Sequence, residues 1–170
     1  KKSPLWISAF QVDEDYEAQK NLLTTTFYGF RERVSQLVSF IHKDMPSLTV
    51  HDITHIDQLW WTASEVAGHE YTINPAEAFV LGGAFLLHDA AHCIAAYPGG
   101  IDEITQLPLW KDVTALVMKD GCEPIAGSEE YQRILFDVLR LMHPKQAAKL
   151  ASLQWGEPGK EQLYLIENSD

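Results

Sequence analysis

Apolar residues return every third or fourth position over long stretches of the chain, and short breaks rich in proline and glycine separate these stretches. The breaks fall at Pro46, Asn74-Pro75, Pro98-Gly99-Gly100, Gly121 to Gly127 and Gly156 to Gly159. Between Leu22 and His42 the residues Phe27, Phe30, Val34, Leu37, Val38 and Ile41 form one stripe, which predicts an amphipathic helix. Thr49-Val50-His51-Asp52 has the form of a capping box and predicts a helix start, with His51, His55, Leu59 and Trp60 on that helix. Asn74-Pro75-Ala76-Glu77 supplies a cap, a first-turn proline and an acid at the third position, a strong helix start. Ser128-Glu129-Glu130 opens another helix, with Ile134, Leu135, Val138, Leu139 and Met142 on its apolar side. Strand signals are nearly absent, so the expected fold is all-α. Gln162 to Asp170 reads as a further helix that stops without a cap. The chain is therefore expected to be a fragment of a longer protein, with room for a C-terminal domain beyond it.

The stretch from Phe79 to Leu87 is apolar on all faces, which predicts a central buried helix. It runs into His88-Asp89-Ala90-Ala91-His92. Three ionisable groups inside a buried helix are expensive unless something satisfies them. At helical spacing His88 and His92 share a face and Asp89 lies beside them, a good arrangement for a divalent metal. The metal-free reading needs a separate accommodation for each of the three residues. His51 and His55 repeat the four-residue spacing, again with a carboxylate next to the first histidine. Taken by itself, His55 fits a metal ligand and a core histidine bonded to a carbonyl equally well. Four of the seven histidines sit in these two short motifs. His42 and His69 lie beside predicted helix ends, where the helix dipole explains a cation.

Length and composition narrow the setting. The 170 residues suit a single domain, and 46% hydrophobic with 22% charged residues is ordinary for a globular protein. Two cysteines, Cys93 and Cys122, make no disulfide framework, which fits a reducing compartment, and a cytoplasmic location is expected. The longest apolar run, Ala78 to Leu87, is roughly half of a membrane span, and no membrane association is expected. Thirteen basic against twenty-four acidic residues give a formal charge of −11. Such a field argues against broad nucleic-acid binding, but leaves room for a phosphorylated small molecule or nucleotide, since a bound cation reverses the sign locally.

His55 followed by the contiguous His88-Asp89 pair on a later helix resembles the opening of the HD superfamily signature. The resemblance covers roughly Leu48 to Met142. His51-Asp52-Ile53-Thr54-His55 is similar to the His-x-x-x-His motif of cyclic-nucleotide phosphodiesterases, which implies His55 as a metal ligand and His51 as proton donor to the leaving group. His88-Asp89-Ala90-Ala91-His92 resembles the His-Asp-x-x-His variant, which implies His88 and Asp89 as ligands, with His92 behind them or helping a second metal. His143 falls where two-metal members often supply a further histidine. A helix-end role beside Pro144 explains it equally well, since a proline there is expected to end the helix. The resemblance implies an HD-like helical bundle with an N-terminal helical extension (1–47) and a motif-bearing core (48–143). It also implies a metal-dependent phosphohydrolase acting on phosphomonoesters, phosphodiesters or nucleotides through metal-activated water, with Asp89 also orienting the nucleophile and Arg140 holding phosphate. One or two divalent ions are implied, and mixed nitrogen and oxygen ligands suit Mn, Fe, Co, Ni or Zn, with Mg as a further option. Leu48 to Asp57 and Phe85 to Asp89 are also similar to bacterial HD domains joined to a heat-shock-type (GHKL) ATPase.

The closing aspartate of that signature has no counterpart in its expected surroundings. Asp112 and Asp120 come too early, Asp137 is better explained by packing, and Asp170 stands in Asn168-Ser169-Asp170. A regulatory or scaffolding HD domain that binds metal or nucleotide without turnover is therefore the main alternative. A zinc peptidase is the other, because His88 and His92 have the spacing of His-Glu-x-x-His. That motif needs a glutamate where this chain has Asp89.

Overall fold

The computed structural model describes residues 2–11, 16–49, 51–68, 70–119, 121–156 and 163–166. Its helices are α1 (Pro4–Phe10), α2 (Glu17–Val38), α3 (Ile41–Asp44), α4 (Ile53–Ala67), α5 (Pro75–Leu87), α6 (Gly100–Gln106), α7 (Pro108–Val117) and α8 (Glu129–Leu150), with a 3-10 turn at Ile94–Ala96. Two-residue strands β1 (Gln154–Trp155) and β2 (Leu163–Tyr164) pair antiparallel. Among the described residues the fold is all-α apart from this ladder. No helix among the described residues is long and apolar enough to cross a membrane.

Local chemistry sets the helix starts. Asn74 accepts from the Glu77 N–H while Glu77 reaches back to the Asn74 N–H, both at 2.9 Å, the reciprocal box expected from the sequence. Ser128 caps α8 through the Tyr131 N–H. Ser3 caps α1, with Pro4 in the first turn. The α4 start differs from expectation. Asp52, and not Thr49, is the cap, its carboxylate accepting from the N–H groups of Thr54 and His55 at 2.9 and 3.1 Å. His51 consequently precedes the helix instead of riding on it. Val50 and His69 lie outside the described residues.

The apolar stripe of α2 is buried as expected, from Phe27 to Val38, although the helix ends there and Ile41 begins α3 after a turn at Ser39 and Phe40. Helix α5 packs on α2, α4 and α1, and α8 on α7. The expectation that α5 is buried all round fails: Val80 is 72% exposed, and the buried face is Ala78, Gly82 and Leu86. Helices cover one side of α5 and the other meets solvent. Pro144 does not end α8, which continues to Leu150. The helix expected over Gln162–Asp170 is absent from its described part, where Leu163 pairs with Trp155 and Tyr164 with Gln154. Asp120, Gly159 and Asp170 also lie outside the described residues.

Gly82 sets the closest approach of α5 to its neighbours. A Cβ there would meet Phe27 Cε2 at 2.4 Å and Trp60 Cζ2 at 2.6 Å. Trp60 stands edge-on to both Trp6 and Phe85, with ring centroids 5.2 and 5.4 Å apart. This cluster clamps α1, α2, α4 and α5 together just behind His55 and His88. Gly82→Ala is expected to destabilise the protein by about 1–3 kcal/mol through overpacking, read as a lower urea midpoint with an unchanged slope.

Asp52 yields a pH prediction. Its hydrogen bonds from the Thr54 hydroxyl and from the His55 and Thr54 backbone outweigh its slight burial and hold the carboxyl below the ordinary carboxylate range. A depressed folded pKa means the gain is complete above the unfolded value and is lost as pH falls through the folded one. Asp52→Ala is therefore expected to cost about 1 kcal/mol near neutral pH, shrinking in acid. Urea melts at both pH values, with wild type alongside, would check this.

Candidate metal centre

One carboxylate collects histidines from separate parts of the chain. Asp89 Oδ2 lies 2.7 Å from His88 Nε2, 3.6 Å from His51 Nε2 and 3.7 Å from His55 Nε2. Its Oδ1 lies 3.6 Å from His92 Nε2 and 4.0 Å from His143 Nε2. The lead-in to α4 supplies His51, the first turn of α4 supplies His55, the segment after α5 supplies His88, Asp89 and His92, and α8 supplies His143. All six sequence-derived candidates thus meet in one place.

The local geometry departs from the expected single helix. Helix α5 ends at Leu87, and the chain tightens through Ala90 N–H to Leu87 O at 3.1 Å and His92 N–H to Asp89 O at 3.2 Å. His88 and His92 are therefore not one turn apart on a common helix face. The tightening carries Ala90, Ala91 and Cys93 into the core, each fully buried, and turns Asp89 between two groups of histidines. His92 stacks on His143, with ring centroids 3.9 Å apart and planes at 26°.

The segment is braced from three directions. The Asp44 carboxylate of α3 accepts the Ile94 N–H at 2.8 Å, and Gln146 of α8 donates its amide to Ala96 O at 2.7 Å. Gly156 N–H reaches Ala95 O at 3.1 Å. Burial raises the Asp44 pKa, against the opposing bond from Ile94. Sequence reading missed both side-chain braces. Gln146 left a signal, a lone amide seven residues after Leu139 on the apolar stripe of α8; Asp44 left none.

Backbone carbonyls orient three of the imidazoles. Nδ1 of His88 meets Phe85 O at 2.7 Å, Nδ1 of His143 meets Arg140 O at 2.6 Å, and Nδ1 of His51 meets Thr49 O at 2.5 Å. A carbonyl only accepts, so each Nδ1 carries the proton and Nε2 is turned to Asp89. Two of these acceptors are carbonyls that a helix leaves without an amide donor. Phe85 O belongs to the last turn of α5, and Arg140 O lies four residues before Pro144. The buried Nδ1 of His92 has no hydrogen-bond partner.

Electrostatics follow from this arrangement. Burial opposes ionisation of Asp89, but hydrogen bonds from His88 and His92 and the nearby His88 and His51 rings outweigh it, holding the carboxyl far below the usual range. The bond to Asp89 raises the His88 pKa against partial burial. Burial lowers that of His143, opposed by its bond to Arg140 O. The two flanks of Asp89 also differ in access. The side chains of His55 and His88 are 41% and 37% exposed, and that of His92 is 4% exposed.

Two ligand groups emerge, each with donor atoms within 4.8 Å of one another: His55, His88 and Asp89, and Asp89, His92 and His143. Neutral imidazoles with one shared carboxylate suit a divalent transition ion, so the donor chemistry fits a metal. His51 belongs to neither group. Neither group contains a second carboxylate from the described residues; Asp112 on α7 and Asp137 on α8 are in neither, and Arg140 is exposed. A cavity of about 370 Å³ adjoins His51, lined by Val38, Ile41, Met45, Leu48 and Thr49 among others. A larger one, about 490 Å³, between α1, α2 and α4 includes none of the five imidazoles.

Comparison with known proteins adds one finding. A family model described as HD-CE matches residues 45–170. No curated protein and no solved structure matches the chain. The matched span takes in every histidine and the aspartate of the centre and covers well over half of the chain, which makes this protein a member of the HD-CE family, an HD-like helical domain.

Proposed function

We propose that this domain is a metal-dependent phosphohydrolase acting on a phosphate ester, with a phosphorylated small molecule or nucleotide as substrate. The observation that carries the reading is the sharing of Asp89 between two histidine groups, each suited to a divalent ion. His55, His88 and Asp89 would hold one ion, and Asp89, His92 and His143 a second. A divalent ion there supplies Lewis acidity, making water nucleophilic near neutral pH and offsetting charge on the phosphoryl oxygens.

The chain's own groups do the rest. Asp89 orients the attacking water by hydrogen bonding. Water adds to phosphorus and releases its proton to solvent, the P–O ester bond breaks, and the departing oxygen takes a proton from His51 Nε2, which solvent then restores. His51 suits this role because its Nδ1 is already engaged with Thr49 O, so a second proton can reside only on Nε2, the nitrogen facing the centre. The half-buried His55 and His88 flank, the more open of the two, gives the substrate its approach, and the cavity beside His51 has room for the organic part of the ester. The acidic charge of the chain favours a small substrate over a long nucleic acid. A peptidase fits less well, since His88 and His92 both follow the last residue of α5 instead of sharing a helix face.

The test pairs metal content with turnover. Purified without chelator, or reconstituted with Mn2+, the protein is expected to hold metal and to hydrolyse bis(p-nitrophenyl) phosphate. In Asp89→Ala the rate is expected to fall about a hundredfold or more, equivalent to roughly 3 kcal/mol of barrier, together with loss of metal. Metal retention without hydrolysis of this or any nucleotide ester would point to a regulatory domain. Failure of Asp89→Ala to change either quantity would sink the proposal.

A further inference from the structure

We propose that Pro144 is a positioning residue for His143, acting through the backbone hydrogen bond that a proline cannot make; its bearing on metal binding rests on the metal-centre reading above. In a regular helix the N–H of residue 144 would donate to the carbonyl of residue 140. Proline has no N–H, and its ring crowds that same carbonyl. Helix α8 nevertheless passes through Pro144 from Glu129 to Leu150.

His143 takes up the acceptor. Its Nδ1 lies 2.6 Å from Arg140 O, the carbonyl that Pro144 leaves without its helical partner. That bond places the proton on Nδ1 and frees the lone pair of Nε2, which faces Asp89 Oδ1 at 4.0 Å. It also fixes the ring plane, so that His143 lies flat on His92. His88 Nδ1 likewise meets a carbonyl left over by a helix end, Phe85 O, two residues before α5 stops. Helix α8 has no end near His143, and the proline leaves a carbonyl acceptor free inside a continuous helix. Proline is the poorest residue for a helix interior, so a packing role alone gives no reason for it at this position.

The experiment compares wild type, Pro144→Ala and His143→Ala. Alanine restores an N–H that competes for Arg140 O and suits the helix better, so Pro144→Ala is expected to melt at the same temperature or higher. Long-range 1H–15N spectra of the metal-free protein at mildly alkaline pH should show His143 protonated at Nδ1 in wild type and a mixture of tautomers in Pro144→Ala. Mn2+ titrations should show binding at the His92 and His143 half weakened by about 10- to 100-fold, with the His55 and His88 half unchanged. His143→Ala marks the full loss of that half. An unchanged Nδ1 tautomer in Pro144→Ala overturns the proposal. If wild type takes up no Mn2+, the functional reading fails, and the tautomer alone decides for or against Pro144.

Discussion

The carboxylate of Asp89 is only 9% exposed by residue, and its removal from water must be offset for this arrangement to exist. His88, His92 and His51 provide the offset, within a set of five imidazoles that approach from the lead-in to α4, from α4 itself, from the segment after α5 and from α8. Each histidine ties its own stretch of chain to the same point. The carboxylate therefore links elements that otherwise belong to different parts of the core, and its charge gives the cluster a reason to assemble. The acid is held ionised against its burial, and His88 is pushed toward its protonated form by the same contact.

Histidine can serve such a centre only if the right ring nitrogen faces inward. The chain answers that with interruptions of regular backbone structure. The last turn of α5 leaves Phe85 O for His88, the gap at Pro144 leaves Arg140 O for His143, and the non-helical lead-in before α4 offers Thr49 O to His51. Features that weaken helices are thereby turned to the orientation of side chains. The braces from Asp44 and Gln146 then keep the segment after His92 from drifting away.

Much of this could be read from the amino-acid order, for reasons that are local. The stripe from Phe27 to Val38 follows the helical period, and Asn74 to Glu77 encode their own start, so both elements were legible. The end of α5 was not. Ala90 and Ala91 favour helix and no glycine or proline stands between Gly83 and Pro98, yet tertiary packing draws both into the core and breaks the helix at Leu87. The start of α4 was misjudged because Asp52 can serve either as a third-position acid or as a cap, and only the chain's path decides between them. The histidines themselves were legible as a set. Spacing alone did not give their pairing, because His88 and His92 fall into different groups around Asp89 instead of forming a single one; the family resemblance offers His92 to a second metal.

The missing side chain at Gly82 has a further meaning for how this centre could change over time. With no room for even a methyl group against the rings of Phe27 and Trp60, the spacing of α4 and α5 is governed by the Gly82 backbone resting on those two side chains. Substitutions along that seam can weaken the protein but have little scope to retune the separation of His55 from His88. The flank formed by His92 and His143 depends instead on the braced segment and the interrupted helix. Drift in the reach of the centre, in a lineage or a laboratory library, is thus channelled to one side of Asp89 while the other stays nearly fixed.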